Sequence, residues 1–216
     1  MRRKEIFKDG ELYHILNRSI SGFNILKDIN NCWRFLELLD YYNNRLVDCS
    51  FSRFLKENNK YQYENLLIPK EFPFVKFICF SLMPTHYHLL LKILDENNFS
   101  YYISNVENSF SRFFNIKFKR KGPLWESRFR AVRIKSEEQL LHVSRYIHLN
   151  PVTDYLIEKA EDWKFSSYRD FINKKGFLNE IISEVSIKNP KTYQQFVENQ
   201  KDYQRKLKMI KKTILE

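Results

Sequence analysis

The run FVKFICFSLM from Phe74 to Met83, followed at once by Pro84, Thr85 and HYHLLLKI, constrains the fold more than any other stretch. Its first part is nearly all apolar and β-prone, the composition of a central strand covered on both faces. Proline and threonine then make a tight turn that sends the chain back as a second strand. Such a hairpin needs a layer on each side, so the rest of the chain has to supply helices that pack on a sheet.

The remaining elements suit that requirement. Residues 12–19, LYHILNRS, alternate well enough for a strand, with Tyr13 and Ile15 on one side and His14 and Arg18 on the other. Asp28 caps a helix whose apolar positions Cys32, Phe35, Leu36, Leu39 and Tyr42 recur at helical spacing and which ends near Asn43 and Asn44. The polar and aromatic stretch 48–73 reads as an insertion, helical in part. A second helix, capped by Ser100, carries Ile103, Val106, Phe110 and Phe113 as its core stripe and is broken by Gly122 and Pro123. LWESRFRAVRI, from Leu124 to Ile134, reads as one more strand. Ser136 and Gln139 form a capping box for a last core helix that is expected to stop at Pro151, with Asn150 pushed out of the helical region at its end.

The order strand, helix, insertion, two strands, helix, strand, helix predicts an α+β fold, an antiparallel sheet with helices packed on it. At 216 residues and 43% hydrophobic content the chain can bury one core with appendages. We expect a principal domain over 1–170, with the insertion at 48–73, and a helical basic extension over 171–216. In that extension Tyr193, Phe196, Val197, Tyr203, Leu207, Ile210 and Ile214 follow roughly helical spacing.

Chemistry concentrates in two places. His86 and His88 lie two apart on a strand, so both imidazoles project from one face while Tyr87, Leu89 and Leu91 project from the other. Two imidazoles with an oxygen ligand and open positions suit Mg²⁺ or Mn²⁺ acting on a phosphate oxygen; the plain alternative is two surface histidines on an amphipathic strand. In the last helix Glu138, His142, Tyr146 and Asn150 recur by fours and share one face, whereas Leu140, Val143 and Ile147 form the apolar stripe. That polar line is either a solvated face or a catalytic one. On the second reading the Asn150 amide oxygen completes the metal site, Tyr146 stands one turn away from it, and His142 is a candidate for proton transfer. A phenol of pKa about 10 is a better leaving group than an alkoxide, so a phosphodiester on Tyr146 can be reversed.

Charge adds a partner class. The formal charge is +11, from 37 Lys and Arg against 26 Asp and Glu, which favours polyanions unless it is a generic solvated surface. Between Arg112 and Lys135 nine basic residues face one acid, Glu126, a net +8. Trp125 and Phe129 interleave with them, the mixture of cation and ring that binds single-stranded DNA, although Trp125 reads equally well as core. The DNA-contacting candidates are Arg18, Lys119, Arg120, Lys121, Trp125, Arg128, Arg130 and Arg133. The tail from Lys201 to Lys212 is either a grip on hairpin phosphates or a docked helix with a basic face. Cys32, Cys49 and Cys79 show no CxxC spacing, so neither a disulfide framework nor a structural zinc is indicated. With no signal-like N-terminus and no run of about 20 apolar residues, a soluble cytoplasmic protein away from membranes is expected.

LMPTHYHLLLK, FKRKGPLWESRF, SRYIHLNPV and WKFSSY, in this order, resemble the REP-associated tyrosine transposases of the single-tyrosine HUH transposase superfamily. The resemblance spans roughly Tyr13 to Tyr168. It implies a ferredoxin-like antiparallel sheet, the HUH endonuclease fold, with His86, His88 and Asn150 as ligands of Mg²⁺ or Mn²⁺ and Tyr146 as nucleophile. It also implies cleavage and rejoining of single-stranded DNA beside hairpins, with a 5′-phosphotyrosine and a 3′-hydroxyl as intermediates. Two departures stand out: Thr85 replaces the family's usual Asn before the first histidine, and the insertion 48–73 is longer than usual. A domesticated protein that binds hairpin DNA or RNA without cutting is the alternative; a replication-initiator or relaxase-like nuclease is disfavoured by the short chain and the lack of a second tyrosine beside Tyr146. Relatives exist both as swapped homodimers and unswapped, so whether Tyr146 serves its own metal site or a partner's is open at the level of sequence.

Overall fold

The computed structural model describes residues 6–173 and 184–206. Leu207, Lys208, Ile210, Lys211, Lys212 and Ile214 of the tail pattern lie outside the described residues. β1 (Leu12–Arg18) leads to α1 (Ile29–Tyr42), and α2 (Phe51–Asn58) lies within the stretch 48–73. The hairpin of β2 (Val75–Met83) and β3 (His86–Ile93) is followed by α3 (Phe99–Lys117), β4 (Arg130–Arg133) and α4 (Glu137–Thr153). The four strands form one antiparallel sheet in the order β2-β3-β1-β4. This is the expected α+β, ferredoxin-like arrangement, in which β1 and β3 are the inner strands.

Pairing sorts the side chains by face. Leu16 is registered with His88 and Arg18 with His86, while Ile15 faces Leu89 and Asn17 faces Tyr87. His14, Leu16, Arg18, His86 and His88 therefore share one side of the sheet, and Tyr13, Ile15, Asn17, Tyr87 and Leu89 the other. The second side is covered by α1 and α3, where the Phe35 ring lies 5.1 Å from Tyr87 and 5.1 Å from Phe110. Asp28 caps α1 as expected, accepting from the amides of Asn30 and Asn31. A buried carboxylate, Glu107 of α3, accepts from Asn17 Nδ2 and from the Tyr87 hydroxyl, both at 2.7 Å, and so ties helix to sheet.

On the histidine side α4 packs mainly over β2 and β3, with Tyr146 reaching His14 of β1. Beyond α4 the chain forms α5 (Tyr168–Asn173) and, after residue 183, α6 (Pro190–Glu198). The segment WKFSSY pads the outer edge of β2: Leu82 N–H donates to Phe165 O, Ser167 N–H to Phe80 O, and the Trp163 indole to Leu82 O. His148 on α4 binds Ser167 and Tyr193 at 2.9 Å each, and Tyr193 donates to Ser144, so one buried polar cluster ties α4, this segment and α6 together.

Three expectations need correction. The cap position of α3 is Asn98 rather than Ser100, and Asp95 in turn accepts from the Asn98 amide. The strand expected over Leu124–Ile134 is only Arg130–Arg133 long; Trp125 forms an isolated bridge with Ser19 and turns inward among the rings of Phe35, Tyr87 and Phe110, which lifts the chain off the sheet edge until Arg130. Finally, α4 runs through Pro151 to Thr153 and keeps Asn150 helical. A proline in the last turn removes a single N–H, and the Asp154 and Leu156 amides still satisfy the carbonyls of Asn150 and Pro151.

Candidate active site

Strand β3 presents His86 and His88 on one face, with ring centroids 4.9 Å apart and planes at 90°. Each ring is held at Nδ1: His86 Nδ1 lies 2.9 Å from Thr85 Oγ1, and His88 Nδ1 lies 2.9 Å from His14 Nε2. On each ring Nε2 would therefore be the atom to meet a cation. Sequence reasoning took Thr85 for a turn residue alone and put His14 on the correct face without giving it a part. The alternation of LYHILNRS was the signal that could have enrolled His14, because it already placed that side chain above the sheet. Burial holds the His14 pKa down to about 4, so the ring is neutral at physiological pH.

Helix α4 brings Tyr146 to these rings within one chain. Its ring lies 5.5 Å from His88 and 6.2 Å from His14, edge-on to both. Along the polar line of α4 exposure falls steadily: Glu138, His142 and Tyr146 are exposed, Tyr146 the least of the three, and Asn150 is buried. Asn150 meets Tyr146, and its amide favours the ionised phenol, as does the Arg18 guanidinium, but burial outweighs both and pushes the phenol pKa above its ordinary 10. The nucleophile candidate is therefore protonated at neutral pH. His142 is not gathered here; it binds Arg145 at 2.7 Å and leans on Phe196, so the proton-transfer expectation for it is corrected.

Two imidazole Nε2 atoms with one carboxamide oxygen form a mixed set suited to Mn²⁺ or Mg²⁺ and leave positions for phosphate oxygens. The Asn150 side chain meets Tyr146, and its amide oxygen is the atom suited to a hard cation. Among the described residues no group of three His, Cys, Asp or Glu side chains comes together as a metal centre. These residues fit the group.

The basic residues divide by position. Arg18 and Arg130, the latter registered with Leu16, flank the histidine face on the half that α4 leaves open. Arg128, Lys119 and Lys121 are exposed on loops. Arg120 binds Asn115 and Pro123 O and lies 5.6 Å over the exposed ring of Phe23. Two assignments are corrected. Arg133 is registered with Tyr13 on the opposite face and pairs with Glu11, and Trp125 is a packing residue whose indole donates to Glu107 O at 3.2 Å. Phe129 is likewise buried. Lys201 and Arg205 pair with Glu158, and Arg205 also donates to Val152 O, so residues 201–206 rest on the end of α4 and the loop after it.

A ferredoxin-like sheet with two histidines on an inner strand and a helix tyrosine above them defines a class, and comparison with solved structures names its fold. A REP-associated tyrosine transposase bound to a REP hairpin superposes with a TM-score of 0.56 at 14% identity, over 81% of this chain and 86% of that one. The two chains thus share a fold. Residues 56–150 match the family described as "Transposase IS200 like", a segment that holds His86, His88, Tyr146 and Asn150. A protein of Haemophilus influenzae described as a REP-associated tyrosine transposase is 26% identical over 109 residues, covering 46% of this chain. The aligned stretch spans about three-fifths of that relative's length, 61%.

Proposed function

We propose that the chain is a transposase-type HUH endonuclease that cleaves and rejoins single-stranded hairpin DNA through a 5′-phosphotyrosine on Tyr146. The observation that carries this reading is the meeting of Tyr146 with His88 inside one chain, at 5.5 Å between rings, on the side of the sheet that α4 leaves partly open. His86, His88 and Asn150 would hold Mg²⁺ or Mn²⁺, which when bound offsets the charge developing on the attacked phosphate. The Tyr146 hydroxyl gives up its proton to solvent as its oxygen attacks phosphorus, the bond from phosphorus to the 3′ oxygen breaks, and that oxygen takes up a proton and departs as a 3′-hydroxyl. In rejoining, a 3′-hydroxyl attacks the phosphotyrosine and the phenolate leaves, which is why a tyrosine suits a reversible cut better than a serine. Arg18, beside Tyr146, favours its ionised form and offers a contact to the phosphate on which it acts. Arg130 and the exposed cations of the 119–128 loop extend that contact along the strand.

A hairpin is the natural substrate class for a fold shared with a protein seen on a REP hairpin. The meeting of Tyr146 and His88 in one chain supports a reading in which each copy, alone or in a homodimer, uses its own tyrosine. The test is to mix the purified protein with a panel of labelled single-stranded hairpin DNAs and Mn²⁺ and look for an adduct that survives SDS. The expected adduct is absent from Tyr146→Phe and from His88→Ala. An adduct persisting in Tyr146→Phe would remove the nucleophile, and tight metal-independent binding without any cleavage would favour a non-cutting hairpin-binding protein instead.

A further inference from the structure

We propose that His14 is a positioning residue, whose Nε2 accepts the Nδ1 proton of His88 and so commits His88 Nε2 to the cation. This rests on the function proposed above and adds to it a residue outside the ligand set. The two nitrogens are 2.9 Å apart, and the rings lie 5.1 Å apart with planes at 29°. Both histidines are buried, yet His14 is registered with Leu90 and lies in a row with Leu16, where a leucine would fill the space at no polar cost. An imidazole there is explained by the bond it makes.

That bond crosses strands. His14 lies on β1 and His88 on β3, offset by two positions in the antiparallel register, so a slip of one residue would carry His14 to the other face of the sheet and leave His88 without its acceptor. The ring of His14 also lies 6.2 Å from Tyr146, so a single side chain bounds both the ligand and the nucleophile. Partners that fix the tautomer and plane of a ligating histidine alter metal affinity by about 10- to 100-fold when removed.

The deciding experiment is a Mn²⁺ titration of the full chain without DNA, read by the EPR signal of unbound Mn²⁺. It compares the unaltered protein, His14→Leu, His14→Gln and His88→Ala. His14→Leu is expected to weaken Mn²⁺ binding about 10- to 100-fold. His14→Gln, whose side-chain oxygen can accept the same N–H, recovers most of it. Melting in EDTA separates this effect from folding, since a purely structural role would lower the melting temperature without metal and leave the Leu and Gln variants alike. Two-bond ¹H–¹⁵N spectra of the unaltered protein give a readout that needs no variant: the His88 proton belongs on Nδ1, and finding it on Nε2 overturns the proposal. So does a His14→Leu variant with undiminished affinity while His88→Ala has lost it. Equal loss in His14→Leu, His14→Gln and His88→Ala would make His14 a ligand instead of a positioning residue. If His88→Ala binds Mn²⁺ as the unaltered protein does, the metal site itself is wrong and this inference goes with it.

Discussion

Asn150 is 2% exposed and Tyr146, one turn earlier on α4, is 43% exposed, although the two side chains meet. The helix descends toward the sheet along its polar line, so an amide anchored in the interior sits beneath a phenol that a nucleotide can reach. Anchoring and access are thereby supplied by successive turns of one element.

If Asn150 supplies the oxygen of a metal site, Asn150→Ala should slow adduct formation at least tenfold in single-turnover assays, the scale of losing one ligand or its support. Hairpin affinity measured in EDTA should be unchanged. Undiminished cleavage in that variant would strike Asn150 from the site.

Arg18 and Arg130 border the histidine face, whereas Arg133 is held by Glu11 on the other. Arg18→Ala and Arg130→Ala should each weaken hairpin binding and flatten the dependence of log K on log salt by roughly one unit. Arg133→Ala should leave that slope alone. Anisotropy titrations over a salt series distinguish these outcomes, and equal effects from all three would mean that the faces do not discriminate.

Glu107 is buried and accepts from Asn17 and Tyr87. Glu107→Ala leaves two buried donors without their acceptor and is expected to cost about 3 kcal/mol. For a chain of this size that is a drop in melting temperature of roughly 6–12 °C. Glu107→Gln, which keeps an acceptor oxygen, should lose less; a wild-type melting temperature for Glu107→Ala would refute the assignment.

His148 is buried and neutral, its pKa pushed down to about 3. The unfolded chain takes up this proton near pH 6.5 and the folded chain resists it until about 3, so the associated stability is complete above 6.5 and shrinks by about 1.4 kcal/mol per pH unit below it. Urea midpoints should fall as pH drops from 6.5 toward 4, less steeply in His148→Gln. Parallel profiles for the two proteins would assign the acid sensitivity elsewhere.

Much of this was legible in the chain because it is short-range. The apolar run ending in Pro84 and Thr85, the alternation around Tyr13 and Ile15, the Asp28 cap and the recurrence of Tyr146 and Asn150 all obey periods of two or of nearly four residues. Trp125 was not legible, since its spacing among cations suits a stacking ring as well as a core ring, and only the inward turn to Phe35 and Tyr87 separates the two. Pro151 misled for a related reason: a local rule ends the helix there, while the missing hydrogen bond falls in a last turn that tolerates it.

From its residues alone this protein was determined to be a sheet bearing paired histidines, served by a helix with a tyrosine and an asparagine one turn apart, in a strongly basic chain. Tertiary structure decided that Tyr146 faces His88 of its own chain, that Thr85 and His14 hold the two imidazoles, and that Arg133 turns away. Spacing along a strand or helix dictates which side chains share a face, but the meeting of residues far apart in the chain depends on strand register and on the packing of α4 over β2 and β3, and neither is written in any local period.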